Sequence, residues 1–334
     1  MKRYSNIELC RIISILLVLL VHSAFAANGF PSELNKNALW LILLESISIV
    51  GVNVFIFISG YFSIKLKPKT IYSLVFVCAF YFVLLTGASV CIGEPFKYKN
   101  LLFVSNSHYF IVDYIGLALL SPILNNFVEF TNKRKFLGII IVLFLYQTYF
   151  GFVTGASRME FDFGYSLMSY SIIYLIARYV RIYGVPNLIS KYSGSLYLLS
   201  TLIILLLACF SLKIGYPGVL YHIYAYNNPI VIFQSIFFFL YFEKKAIKEN
   251  KSINMIAKST LGILLFHASI PAVPTIWKFM KEIYQGLMSD FGILTMFIWP
   301  IIIIIAIMAI LIDQIRIYLS EKVFNIINKK YYGI

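Results

Sequence analysis

Long apolar runs separated by short cationic loops constrain this chain more than any other feature. Each run approaches the ~20 residues that a helix needs to cross a bilayer. They recur from one end of the 334-residue sequence to the other. Hydrocarbon offers no water to satisfy backbone N–H and C=O groups, so runs of this kind fold as helices. The expected class is all-α, a polytopic integral membrane protein. Composition agrees: 60% of residues are hydrophobic and 13% are charged, where a soluble domain carries about 25% charged residues.

Ten spans are expected, at 7–27, 38–64, 70–92, 108–130, 136–154, 163–183, 195–215, 229–242, 254–274 and 292–319. Alternate loops then hold 20 lysines and arginines on one side and seven on the other, with Arg11 inside the first span. The rich side includes Lys65, Lys67 and Lys69, and the run Lys133-Arg134-Lys135. Positive charge accumulates in cytoplasmic loops, so both termini are expected in the cytoplasm. The same distribution accounts for the net charge of +14 without nucleic acid as a partner. Glu8 and Arg11 near its start make the first run a span rather than a cleaved leader. Cys10, Cys78, Cys91 and Cys209 have no paired spacing, so neither a disulfide framework nor a metal site is expected. No P-loop, dinucleotide motif or internal repeat is present, and residues 1–334 read as a single membrane-embedded domain.

Polar side chains within the spans are the candidates for function, because burying them in a bilayer is costly. Arg11 and His22 are eleven residues apart on the first span. That is three helical turns plus roughly 20°, so both project from one face, about 16 Å apart along the axis. They line a polar channel, or they sit at the two membrane interfaces. Glu8, three residues before Arg11, is placed to pair with it. The second span carries Glu45, Asn53 and the small residues Gly51 and Ser59-Gly60, which admit either a neighbouring helix or a ligand. Lys65, Lys67 and Lys69 follow at its end, either as positive-inside charge or as point charges for a phosphorylated ligand. His108 opens the fourth span and Asp113 follows, expected to face the bundle interior. His267 lies deep in the ninth span, where a neighbour satisfying a neutral imidazole is the simpler local account. Asp313 and Arg316, three apart, read as a structural pair. The loop 215–228 gathers His222 among Tyr216, Tyr221, Tyr224 and Tyr226, as a sugar-stacking surface or an interfacial aromatic belt.

Four segments in order carry a family resemblance. The Arg-x10-His pair in the first span resembles the acyltransferase-3 family of membrane acyltransferases. Phe57-Ile58-Ser59-Gly60-Tyr61-Phe62 resembles that family's Ser-Gly-Phe/Tyr motif. Leu119-Leu120-Ser121-Pro122-Ile123-Leu124, a few residues after Tyr114, resembles its Leu-Leu-Ser-Pro-Leu-Leu run. Ser259 to His267 is similar to the late Gly-Ile-Tyr-Leu-Ile-His motif, with Leu264 in place of the tyrosine.

The resemblance implies acyl transfer, usually of acetyl from acetyl-CoA, to a hydroxyl of a cell-surface or lipid-linked glycan in the bacterial cytoplasmic (inner) membrane. Acetyl-CoA is then a cosubstrate and no cofactor is bound. Carried over, His22 is the catalytic histidine and Arg11 its essential partner. Neutral histidine suits deprotonation of a hydroxyl near pH 7. The separation from Arg11 places the arginine with the donor and His22 deeper, towards the acceptor. Ser59, Lys65 and Lys67 are expected on the donor, with Glu8, Glu45, Asn53, His108, Asp113 and His267 as substrate or supporting residues. A lipid-linked glycan transporter or a non-catalytic membrane sensor are the alternatives; release of CoA thiol with a glycan acceptor separates the enzyme from both.

Overall fold

In the computed structural model the described residues fold mainly as α-helices, with no strand among them. Those are residues 4–91, 93, 95–96, 109–154, 161–268, 273–287 and 291–332. The helices are α1 (Ser5–Val21), α2 (Lys36–Ser48), α3 (Gly51–Phe62), α4 (Pro68–Cys91) and α5 (Tyr109–Glu129). Then come α6 (Lys133–Tyr146), α7 (Leu167–Tyr183), α8 (Asn187–Lys191), α9 (Ser193–Lys213) and α10 (Leu220–Ile223). The chain continues through α11 (Pro229–Glu243), α12 (Lys251–Ile256), α13 (Thr260–Ala268), α14 (Val273–Leu287) and α15 (Phe291–Tyr332). Local chemistry sets several of the starts. Asn35, Asn132, Ser166, Asn228 and Asn250 each accept a hydrogen bond from a backbone N–H in the first turn that follows. This satisfies a donor that the helix itself leaves open.

Seven helical stretches among the described residues are long and apolar enough to cross a membrane: Ser5–Ala26, Lys36–Phe62, Pro68–Cys91, Phe110–Glu129, Lys133–Val153, Ser193–Lys213 and Ile298–Ile326. Each coincides with an expected span. The remaining three expected spans fall on shorter helices. They are α7 and α11, with 17 and 15 residues, and a broken rod in which α12 and α13 flank the 3-10 turn Ala257–Ser259. Two further departures lie around the first and ninth spans. The first span changes from α to π geometry at His22–Ala26, and α14 occupies part of the stretch expected as a loop.

The second span is central. Its most apolar window is 83% buried, against 22% for the fifth span. Leu145 of α6, Leu198 of α9 and Leu311 of α15 point outward, the pattern of helices solvated by lipid tails. Small residues explain how α3 reaches the centre. A methyl group at Gly51 would fall 2.7 Å from Val18 Cγ2 of α1, and one at Gly60 would fall 2.6 Å from the Tyr174 carbonyl oxygen of α7. Both glycines are packing seams, which bring backbones together where no hydrophobic effect drives helix association. Tyr61 of the same motif also has a structural role. Its hydroxyl accepts from Arg181 at 3.1 Å and donates to Glu243 at 3.0 Å, joining α3, α7 and α11.

α1 lies against α2, α3, α11, α12 and α13, and α13 lies against α15 and α4. The Asp313–Arg316 pair forms as expected, with bonds of 2.7 and 2.9 Å. Tyr81 of α4 donates to the same carboxylate at 3.1 Å. Gly262 abuts this group: a methyl there would run into the Asp313 carboxylate and the Tyr81 hydroxyl. The glycine of the late motif therefore seats α13 on the α4–α15 pair, and α13 carries His267.

Candidate active site

A cavity of about 400 Å³ opens between α1, α3, α5 and the α12–α13 break. Arg11, Ile15, Ser59, Tyr114, Lys258 and Leu264 are among its lining residues. Arg11 sits beside Glu8, with Nη1 to Oε2 at 3.5 Å, so the pair expected from their spacing is present. The Ser59 hydroxyl donates to the Phe55 carbonyl at 2.9 Å and lies 3.3 Å from the Tyr114 hydroxyl. The α12–α13 break brings Lys258 to the cavity. A second cavity of about 330 Å³ is lined by Lys69, Tyr72 and Arg316 and shares Ser73 with the first. The second cavity also carries Glu321, and its Arg316 is held by Asp313.

Further along α1, His22 meets His267. Nδ1 of His22 is 3.0 Å from Nε2 of His267, across 245 positions of sequence. Nδ1 of His267 is 2.5 Å from the carbonyl oxygen of Ile263, one turn earlier on α13. His267 is fully buried. Arg11, Ile15 and His22 follow at intervals of four and seven, which is one helical face. Leu264 and His267 follow at three on α13. The cavity and the histidine pair thus lie along the same faces of α1 and α13, the cavity at Arg11, Ile15 and Leu264 and the pair at His22 and His267.

The other candidates lie elsewhere. Lys65 and Lys67 are exposed, in the turn between α3 and α4, and line neither cavity. Glu45 is buried and accepts, at 3.5 Å, from the backbone N–H of Phe25 within the π segment. Asn53 donates to the Tyr226 carbonyl at 2.8 Å and so anchors the 215–228 loop. Asp113 is half-buried and accepts from the backbone of Leu167, at the start of α7, where a helix N-terminus favours a carboxylate. His108 lies outside the described residues. In the 215–228 loop, Tyr224 and Tyr226 are buried while Tyr216 and Tyr221 are exposed. The His222 ring is 2.9 Å from the Phe152 carbonyl oxygen.

Of the three lysines read as a phosphate patch, Lys69 lines a cavity; sequence reasoning missed Lys258 because loop charge is counted, not placed. A signal existed for Lys258, which immediately precedes the late Ser259–His267 motif.

A family model described as an acyltransferase domain matches residues 4–312. The chain belongs to this acyltransferase-3 family, which makes it a membrane acyltransferase. No curated protein matches the chain, and no solved structure does.

Proposed function

We propose that this protein transfers an acetyl group from acetyl-CoA to a hydroxyl of a cell-surface or lipid-linked glycan in a bacterial cytoplasmic membrane. One observation carries this reading: a cavity lined by Arg11 and Lys258 and a buried histidine pair lie along the same faces of α1 and α13. Arg11 and Lys258 suit the phosphates of the donor, and Lys69 in the adjoining cavity suits its nucleotide end, since lysines act as mobile point charges towards phosphate. The acyl-bearing arm would run past Ile15 and Leu264 towards His22. There the hydroxyl of the acceptor gives its proton to His22 as its oxygen bonds to the thioester carbonyl carbon. Collapse of that intermediate breaks the C–S bond, and the proton passes to the departing thiolate. Residues 1–334 act as one membrane domain in this reading.

The test is release of CoA thiol by purified protein in nanodiscs supplied with acetyl-CoA and glycan extracts. It is paired with mass spectrometry of surface glycans from cells with and without the gene. Loss of an acetyl increment supports the reading; thiol release that is independent of any glycan overturns the acceptor. Within the site, Lys258→Gln is expected to raise KM for acetyl-CoA about tenfold, the order of one lost charge-assisted hydrogen bond. Lys65→Gln and Lys67→Gln should leave KM within about twofold. The reverse ranking would return the donor phosphates to the α3–α4 turn.

Ten spans with both termini in the cytoplasm accompany this proposal. They are supported by the 20-to-7 division of basic residues and by the match of α7, α11 and α12–α13 to the three short spans. Cysteines placed at either end should resist a membrane-impermeant thiol reagent in intact spheroplasts; labelling of one end alone would mean an odd number of spans.

A further inference from the structure

Building on the proposed role of His22, we infer that His267 is a positioning residue that fixes the tautomer of His22 and leaves Nε2 of His22 as the proton-accepting atom. The argument starts at a carbonyl. The Ile263 oxygen can only accept, so Nδ1 of His267, 2.5 Å away, carries a proton. A neutral ring protonated at Nδ1 presents a lone pair at Nε2. That atom faces Nδ1 of His22 at 3.0 Å, so Nδ1 of His22 is the donor. In the neutral His22 ring the lone pair then belongs to Nε2. The direction of two hydrogen bonds is set by one backbone carbonyl.

The backbone at His22 supports this placement. α1 gives way to a π turn at this residue, and π turns inside helices often mark functional positions. The π segment His22–Ala26 packs against α14, and the N–H of Phe25 within it is taken up by Glu45. The rings meet at 56° with centroids 5.1 Å apart, an arrangement made by a side-on hydrogen bond rather than by stacking. Gly262, seated on the Asp313 carboxylate, fixes the height of α13 and with it the reach of His267.

The pair gains most as transfer proceeds. When Nε2 of His22 takes the hydroxyl proton and the C–O bond forms, His22 becomes cationic. Its Nδ1–H···Nε2 bond to His267 is then charge-assisted and about twice as strong as a neutral bond. The interaction favours the transition state over the ground state, which raises kcat rather than lowering KM. When the C–S bond breaks, the proton moves from Nε2 to sulfur and His22 returns to its starting neutral tautomer, His267 having kept its Nδ1 proton throughout.

Two measurements test this. Nitrogen NMR of ring-labelled protein in bilayers, with His108→Gln and His222→Gln removing the other two imidazoles, should show both remaining rings protonated at Nδ1 and bare at Nε2. A proton on Nε2 of either ring overturns the assignment, and this reading does not depend on altering either histidine of the pair. In kinetics, His267→Phe should lower kcat about 10²-fold with KM for acetyl-CoA within about twofold. His267→Gln, whose side-chain carbonyl can accept from Nδ1 of His22, should recover a substantial part of that loss. Equal loss in both variants with normal thermal stability, or full kcat in His267→Phe, overturns the positioning role. If His22→Ala retains transfer, the underlying function of His22 fails instead, so the two failures are distinguishable.

Discussion

His22→Ala is expected to lower acetyl transfer by about 10²–10⁴-fold, the range that a positioned general base contributes, while acetyl-CoA still binds. The physical reason is separation. Arg11 and Lys258 line the cavity, and His22 lies eleven residues further along α1 from Arg11. An α-helical rise of about 1.5 Å per residue makes that about 16 Å. No one carbonyl can touch both side chains, so removing the imidazole leaves the cationic contacts intact. Arg11→Ala should show the opposite profile, a raised KM with a smaller effect on kcat, because it removes binding made equally in ground and transition states. Equilibrium binding of acetyl-CoA measured alongside thiol release checks both. Transfer retained in His22→Ala, or donor binding lost with the imidazole, would sink the division of the site into a donor part at Arg11 and Lys258 and a reacting part at His22.

Much of the fold was legible because the bilayer imposes a simple rule on sequence. The seven long spans coincide with apolar runs whose length alone identifies them. Pairs within one turn were legible for the same kind of reason. Glu8–Arg11 and Asp313–Arg316 are both three apart, and a helix places such residues side by side. The π turn at His22 and the 3-10 break at Ala257–Ser259 were not legible, since helix type there answers to neighbours rather than to composition. The break matters to the proposed function, because it carries Lys258 to the cavity while the exposed Lys65 and Lys67 lie between α3 and α4. Gly51 and Gly60 announced close approach, but sequence alone left open whether helix or ligand approached. The backbone of α7 and the side chains of α1 supply that answer. The His22–His267 contact had the least local signal. Its partners are 245 residues apart, and only the two separate motifs hinted that each ring mattered.

Asp313→Ala should be the most destabilising single change, costing about 3–5 kcal/mol. Asp313 is fully buried and its carboxylate takes three hydrogen bonds, two from Arg316 and one from Tyr81. Removing it strands a guanidinium that is 9% exposed, and an uncompensated buried charge is far more costly than the pair is stabilising. The loss reaches beyond stability. Gly262 rests against this carboxylate, so the truncation opens space under α13 at the level that sets His267 against His22. Thermal unfolding in detergent should drop by about 5–10 °C, with transfer reduced even at temperatures where the variant is folded. Replacing both partners, Asp313→Leu with Arg316→Met, removes the stranded charge and should restore most of the unfolding temperature. It should not restore full activity, because the branched leucine does not reproduce the flat carboxylate surface that Gly262 meets. An unchanged unfolding temperature in Asp313→Ala would show that Arg316 finds another partner or reaches water. A double variant as unstable as the single one would show that shape, rather than charge, holds α4, α13 and α15 together.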